Sequence, residues 1–501
     1  MSDALEALRT RLAKIEDVKH AAAVLAWDQE TWMPPEGESG RAQQLSTLHT
    51  LAHDLFVDDA TGALLNMAEA AATQPLDADL VRVVRRDYER ERTVASDLVA
   101  RLSEAAARGQ AAWQKARAND DFEAFAPHLE RLVQLNIEKA EQLGYDDTPY
   151  DALLEEYEPG CTTATLVDTF GALRRALVPI VEHIAAAPAL DASPVHGPFP
   201  KAQQRTFGEA VMADLGYDFS RGRQDESAHP FTTAFGIDDV RVTTRYDTSF
   251  FPTAFFSMLH EAGHAMYEQG LSPDLARTPL AEGASLGMHE SQSRLWENMV
   301  GRSRAFWTHY FPKAQAAFPD ALADTAAEAF YRAINRVEPS LIRVEADEVT
   351  YPLHVMVRFE LERALIEERL TVDELPAAWN ARMDEYLGVV PDSDANGVLQ
   401  DVHWSMGAFG YFPTYALGTL MATQLWDAIE RDIPNVRAQV AQGQTSHILE
   451  WLRTHIHRHG RRRTAEELLQ DATGEGLTAD PWLAYVRKKF GALYGSIPQA
   501  A

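Results

Sequence analysis

Residues 260–264 read His260-Glu261-Ala262-Gly263-His264. On a helix, two histidines four residues apart share one face. Imidazoles stacked one turn apart can both reach a single Zn²⁺ at ~2.0–2.1 Å. Glu261 falls one residue round the helix, beside the open coordination position, where it can take a proton from water at the metal. The pattern therefore points to metal-assisted hydrolysis. Chance would produce it on the order of 0.1 times in a chain with this histidine and carboxylate content. The competing reading is a buried helix whose histidines are satisfied by hydrogen bonds.

A zinc hydrolase of this design needs a third protein ligand and an open fourth position. Three carboxylates follow at plausible range: Glu282, Glu290 and Glu297, with His289 as a rival ligand. Spacing does not choose among them. Glu290 can also be read as a helix ion pair with Arg294, one turn on.

The motif needs a helix to carry it, and the flanking residues supply one. Phe255, Phe256, Leu259, Ala262 and Met266 form an apolar stripe, and Gly270 is a suitable stop. Leu286, Leu295, Trp296 and Met299 suit a second buried helix that stops at Gly301. Helical periodicity extends over most of the chain. Leu5, Leu8, Leu12 and Ile15 share a face, and similar patterns recur through 85–145, 163–187, 314–337, 339–369 and 415–456. The clearest strand is Asp239 to Arg245, whose alternation puts Arg241, Thr243 and Arg245 on one face. The reading is a mainly α protein with a small sheet. The small, Pro-containing stretch 185–200 is the best candidate for a boundary or hinge loop.

Composition sets the outer bounds. A length of 501 residues with 46% hydrophobic content supports a large core, and length alone suggests two or three domains. The balance of 46 Lys+Arg against 75 Asp+Glu gives a formal charge of -29. Such a surface repels nucleic acid and anionic lipid, so neither is expected as a partner. It suits a dispersed soluble protein, with adaptation to high salt as the weaker alternative. The one cysteine, Cys161, reads as a small buried hydrophobe rather than a nucleophile. The N-terminal residues carry recurrent charges, which argues against a signal peptide. No apolar run approaches the ~18 residues of a membrane span. A soluble, intracellular protein is expected.

Several short boxes together resemble the carboxypeptidase Taq family of zinc metallocarboxypeptidases across nearly the whole chain. They are Trp27-Asp28-Gln29-Glu30-Thr31-Trp32-Met33-Pro34-Pro35, Asp239-Val240-Arg241-Val242-Thr243, the motif itself and His289-Glu290-Ser291-Gln292. Ile342-Arg343-Val344-Glu345-Ala346-Asp347 and Gly397-Val398-Leu399-Gln400-Asp401-Val402-His403-Trp404 follow in the family's order. The resemblance implies one large helical body over residues 1–501, with a long, deep cleft and a small antiparallel sheet beside it. It overrides the length-based expectation of several domains. It also implies one Zn²⁺ per chain, with Co²⁺ able to substitute, held by His260, His264 and Glu290. The implied reaction is stepwise release of C-terminal residues from peptides with broad specificity, by a cytoplasmic homodimer.

Within that frame, Glu261 is the expected general base. His289 is expected to orient a ligand or pack locally. Release from a C-terminus requires recognition of a free carboxylate, which an arginine fork provides. Arg343 and Arg241 are the box arginines. Arg343 is preferred, against a structural pair with Asp347, while Arg241 could tie the sheet to a helix. His403, Tyr411 and Tyr415 are candidates to stabilise the oxyanion, because related zinc peptidases use a His and a Tyr in such a region. Trp27, Trp32 and the Met33-Pro34-Pro35 turn read as core and capping elements. His455, His457 and His459 beside Arg461-Arg462-Arg463 read as a solvated surface. Two rival functions stand beside this one: a zinc endopeptidase or dipeptidyl carboxypeptidase on the same site, and a non-catalytic peptide-binding protein with structural zinc.

Overall fold

The computed structural model describes residues 3–497. The N-terminal helix Asp3–Thr31 buries Leu5, Leu8, Leu12 and Ile15. With helices Glu38–Val57, Asp59–Ala71 and Pro75–Thr93 it forms a small hydrophobic cluster. Leu275 and Leu280 complete that cluster from the segment between the helices 251–270 and 286–294. The main core runs from Ala116 to Leu493 and is almost wholly helical. A cleft of about 720 Å³ lies between the two clusters, with Phe56, Arg461 and Tyr157 among its walls. No helix among the described residues is long and apolar enough to cross a membrane.

Many long periodic stretches are interrupted. Residues 85–145 form parts of three helices, broken near 94–95 and 120–121, where Asp120 takes a left-handed cap. Residues 339–350 lie outside any long helix, and Asp347 instead caps the following turn by accepting from the main-chain N–H of Val349 and Thr350. The stretch 185–200 is tied down: the N–H groups of Gly197 and Phe199 donate to Ser249 and Thr248, and Phe199 is buried.

Three short strands form one sheet: β1 (Gln224–Glu226), β2 (Thr232–Ala234) and β3 (Val240–Thr244), in the order β1-β3-β2. β2 pairs antiparallel to β3, whereas β1 runs parallel to it, so the sheet is mixed rather than purely antiparallel. The connection from β1 to β3 passes through β2 on the opposite edge, which lets β1 enter in the same direction as β3. Val240 and Val242 are buried on one face. β2 and β3 both pack on the motif helix, Phe251–Gly270.

That helix begins with Pro252 in its first turn, where a missing N–H costs nothing. All five residues of its apolar stripe are buried. Its partner, Leu286–Arg294, is capped by Ser285, whose hydroxyl accepts from Met288 N–H. The partner continues without a break as a π-helical turn, Leu295–Gly301. π turns inside helices often mark functional sites. The two helices approach so closely that a Cβ on Gly263 would lie 2.6 Å from the main chain of Gln292 and Ser293. On the other side, a Cβ on Gly418 of helix Pro413–Asp432 would lie 2.5 Å from Cβ and Cγ of Glu290.

These contacts predict that Gly263→Ala and Gly418→Ala each lose about 1–3 kcal/mol of stability by overpacking. Gly40→Ala, on a helix with open space at that position, should instead gain up to about 1 kcal/mol. Chemical denaturation of the three variants checks the contrast. Loss of stability in none of the core variants would contradict the close approach.

Candidate metal centre

The motif helix turns His260 and His264 towards Glu290 on the neighbouring helix. Nε2 of His260 is 3.5 Å from Glu290 Oε2, and Nε2 of His264 is 3.4 Å from the same oxygen. These three residues form a group that could hold a metal ion. For ligands ~2.0–2.1 Å from a tetrahedral ion, ligand atoms stand about 3.3–3.4 Å apart. The two measured separations match that edge. The donor set of two imidazoles and one carboxylate also suits zinc.

Glu290 answers two demands with its two oxygens. Oε2 faces the imidazoles, while Oε1 accepts from Arg294 Nε at 2.7 Å. The ion pair with Arg294 and the place in the metal group therefore coexist. Burial opposes ionisation of Glu290, but Arg294 and His260 outweigh it and hold the carboxyl far below its usual range. Burial also keeps the His264 imidazole neutral, lowering its pKa to about 3. A neutral ring is what a metal requires. At His260 burial likewise disfavours the charge, but Glu290 and Glu297 prevail and raise the pKa.

The other carboxylates do not join the group. Glu297 is 2.9 Å from Nδ1 of His260, so it orients that ring instead. Glu282 is 3.3 Å from Arg461, on the wall of the cleft. His289 stands outside the group too: its Nδ1 lies 2.6 Å from Nδ1 of His264.

Glu261 is buried one residue beyond His260, and burial raises its pKa. Thr232 of β2 donates its hydroxyl to Glu261 Oε2 at 2.7 Å. The sheet thus fixes the direction of this carboxylate, a role that periodicity could not reveal.

A second cluster gathers the 403–415 residues. Nε2 of His403 is 3.3 Å from the hydroxyl of Tyr415, and the Tyr411 ring lies 5.4 Å from that of Tyr415. Tyr157, from the cleft wall, stacks edge-on against Tyr411 at 5.2 Å. Burial and the nearby Arg343 lower His403 to about 4. The turn that carries His403 is held by Glu362, which accepts from Trp404 Nε1 at 3.0 Å and from the Tyr150 hydroxyl. Burial raises that carboxyl to about 7.

Arg343 sits beside this cluster, 4.9 Å from the Tyr415 ring. Its Nε and Nη2 donate to Asp401 Oδ1 at 3.0 and 2.7 Å, and its Nη1 to the Tyr351 hydroxyl at 3.0 Å. Its structural partner is therefore Asp401, not Asp347. Arg358 donates to the other Asp401 oxygen at 2.5 Å. Arg241 stands apart: its fork is filled by Asp239 at 2.9 and 2.8 Å, and it packs against the Trp27 and Phe235 rings.

Trp27 is buried as expected, but Trp32 is 65% exposed and is not a core residue, with Nε1 donating to Asp225 at 3.2 Å. His457 is also a correction. It is fully buried and bonds Gln292 at 2.9 Å, because the chain around it is a tight turn rather than a solvated helix. Cys161 is partly buried, and burial raises its thiol to about 12.

The family model described as carboxypeptidase Taq (M32) metallopeptidase matches residues 7–490. The chain belongs to this family. It is thereby a metallocarboxypeptidase, a peptide hydrolase. It is 44% identical to thermostable carboxypeptidase 1 of Thermus thermophilus, over 94% of this chain and 95% of that one. It is 39% identical to carboxypeptidase 1 of Bacillus subtilis, over 96% and 97%. The solved M32 carboxypeptidase of Deinococcus radiodurans superposes with a TM-score of 0.96 at 41% identity, covering 99% of this chain and all of that one.

The buried Arg343–Asp401–Arg358 triad makes a stability prediction. Asp401→Ala strands two guanidinium charges, a loss of about 3–5 kcal/mol. Burial opposes the Asp401 charge, but the two arginines prevail and hold its folded pKa below the unfolded ~3.9. A depressed carboxylate stabilises fully above the unfolded pKa and loses that contribution as pH falls through the folded one. Denaturation at pH 8 and pH 5 should therefore give the same deficit for the variant. Equal stability of variant and parent at either pH would contradict the pairing.

Proposed function

We propose that this metallocarboxypeptidase is zinc-dependent and releases single residues from the C-termini of peptides with broad side-chain tolerance. The observation that carries the metal assignment is the pair of 3.4 and 3.5 Å separations between Glu290 Oε2 and the two Nε2 atoms. His260, His264 and Glu290 hold the ion in this reading, and Co²⁺ can replace Zn²⁺. A bound zinc supplies Lewis acidity, bringing the attacking water towards a pKa of about 7 and polarising the scissile carbonyl.

Glu261 acts as general base, its Oε2 steadied by Thr232 and its Oε1 left to receive the proton. The same carboxyl then returns the proton to the leaving amine. Its buried, raised-pKa setting supports a group that cycles between both states.

His403, Tyr411 and Tyr415 stabilise the developing oxyanion. Nδ1 of His403 is buried without a partner, so its proton belongs on Nε2, facing the Tyr415 hydroxyl. The Tyr411 ring stands edge-on to that of Tyr415, with centroids 5.4 Å apart. With the Tyr415 hydroxyl facing His403, the Tyr411 hydroxyl is the one we assign to the oxyanion.

Arg343 receives the terminal carboxylate of the peptide. Of its five N–H groups, Asp401 takes two and Tyr351 one, which leaves two for a substrate. Arg241, packed against the Trp27 and Phe235 rings with its fork on Asp239, holds the sheet to the N-terminal helix instead. Residues 1–501 form one working unit in this reading. A cytoplasmic homodimer completes it, supported by the family resemblance.

Chelation should abolish activity, and Zn²⁺ or Co²⁺ should restore it. Glu261→Gln keeps the shape but cannot take the proton, so kcat should fall at least ~10²–10⁴-fold with metal content unchanged. A mass-resolved time course on an unblocked peptide should show products shorter by one residue at a time. Amidating the C-terminus should cost ~10²-fold or more, and Arg343→Ala should mimic that on the free peptide. Equal cleavage of both peptides at internal bonds would establish an endopeptidase. Release of residue pairs would establish a dipeptidyl carboxypeptidase, and zinc-replete protein without turnover would establish a binding protein.

A further inference from the structure

The two imidazoles of the metal group are supported differently. His260 meets a carboxylate directly, through Nδ1 and Glu297 at 2.9 Å. His264 meets no carboxylate at Nδ1; it meets another imidazole, Nδ1 of His289, at 2.6 Å. The far nitrogen of His289, Nε2, then lies 2.7 Å from Glu268 Oε1. Glu268 is one turn beyond His264 on the same helix, and His289 fits between them. The His289 ring has little freedom. Tyr267 flanks it with ring centroids 5.1 Å apart, and a Cβ on Gly283 would come within 2.8 Å of its Cδ2.

Proton placement along this row is constrained. Nε2 of His264 faces Glu290 Oε2, so it must carry the lone pair if it is to bind a metal. The His264 proton is then on Nδ1, and Nδ1 of His289 must accept it. The single proton of a neutral His289 is consequently on Nε2, and something must accept it there. Glu268 is the acceptor in place. Without an acceptor at that end, His289 is free to carry its proton on Nδ1. Two N–H groups would then face each other across 2.6 Å, and the way out is to move the His264 proton to Nε2, which closes that nitrogen to metal.

We propose that Glu268 is a positioning residue which, acting through His289, locks His264 in the metal-binding tautomer. The proposal rests on the metal reading given above and adds two residues to it. His289 is the relay and Glu268 the anchor. Neither touches substrate or the ion. The arrangement also explains a histidine directly before Glu290: the helix that delivers the third ligand delivers the relay with it.

The test is Zn²⁺ affinity by competition with a chromophoric chelator, on the full chain, with melting of the metal-free proteins recorded alongside. Loss of an outer partner of a metal-bound histidine costs 10–100-fold in affinity, and Glu268→Ala is expected to fall in that range. Glu268→Gln keeps an acceptor oxygen and should stay within about threefold of the parent. In a His289→Asn background the asparagine oxygen can accept from His264 directly, so adding Glu268→Ala should cost less than about threefold. An unchanged affinity in Glu268→Ala would overturn the proposal. So would an equal loss in Glu268→Gln, or the same loss with and without His289. Should Glu268→Ala fail to fold, the Glu268→Gln and His289→Asn affinities still decide, since both are expected near the parent value and a 10-fold loss in either contradicts the lock. Absence of Zn²⁺ binding by the parent protein would instead overturn the metal reading itself.

Discussion

Glu290 is a buried carboxylate that must face two ways, and much of the molecule around it serves that requirement. One oxygen takes a charged hydrogen bond from Arg294 and the other is offered to two imidazoles. A carboxylate this deep is costly unless its charge is matched. Arg294 matches it, and is in turn steadied against the Tyr351 ring at 4.3 Å. Space is equally constrained. Gly418 on one side and Gly263 on the other are the positions where a single methyl group would push the ligand or its helix away. Three helices therefore meet around this residue with almost no slack.

The polar groups beyond it form an ordered shell rather than a scatter of contacts. Glu297 orients His260, and the π-helical turn that carries it follows the ligand helix without interruption. Thr232 fixes Glu261 from the sheet. Across from them, Asp401 gathers Arg343 and Arg358, and Glu362 holds the turn that bears His403 and Tyr411. Each of these partners is buried or nearly so, where an electrostatic interaction is screened little and an unmatched one is expensive. The likeness to the carboxypeptidases of Thermus thermophilus and Bacillus subtilis over almost the full length shows that the whole scaffold, not the motif alone, is shared.

The sequence made the metal helix readable because a 3.6-residue period and two histidines coincide there. The mainly helical fold was readable for the same reason. Choosing Glu290 over Glu282 and Glu297 needed the family resemblance, since all three fit the spacing. The structure explains why they differ: Glu297 reaches the outer nitrogen of His260, and Glu282 reaches the cleft wall instead. Thr232, Glu268 and Asp401 could not be assigned from pattern, because each acts across contacts far apart in sequence or through an intervening ring. Asp401 did lie in a recognised box, which was the one available signal. His457 and Trp32 were misread for a related reason. Neighbouring charge suggested solvent around His457, yet a tight turn buries it. The sequence groups Trp32 with the core and capping elements, yet its ring is largely exposed and its indole nitrogen donates to Asp225.

The central claim is that one divalent ion is held by His260, His264 and Glu290. X-ray diffraction from zinc-loaded crystals at wavelengths on either side of the zinc absorption edge tests it most directly. The account predicts one anomalous peak per chain, ~2.0–2.2 Å from Nε2 of His260, Nε2 of His264 and Oε2 of Glu290. A peak coordinated by Glu297 or His289 in place of Glu290, or no peak at this site in zinc-loaded protein, would contradict it.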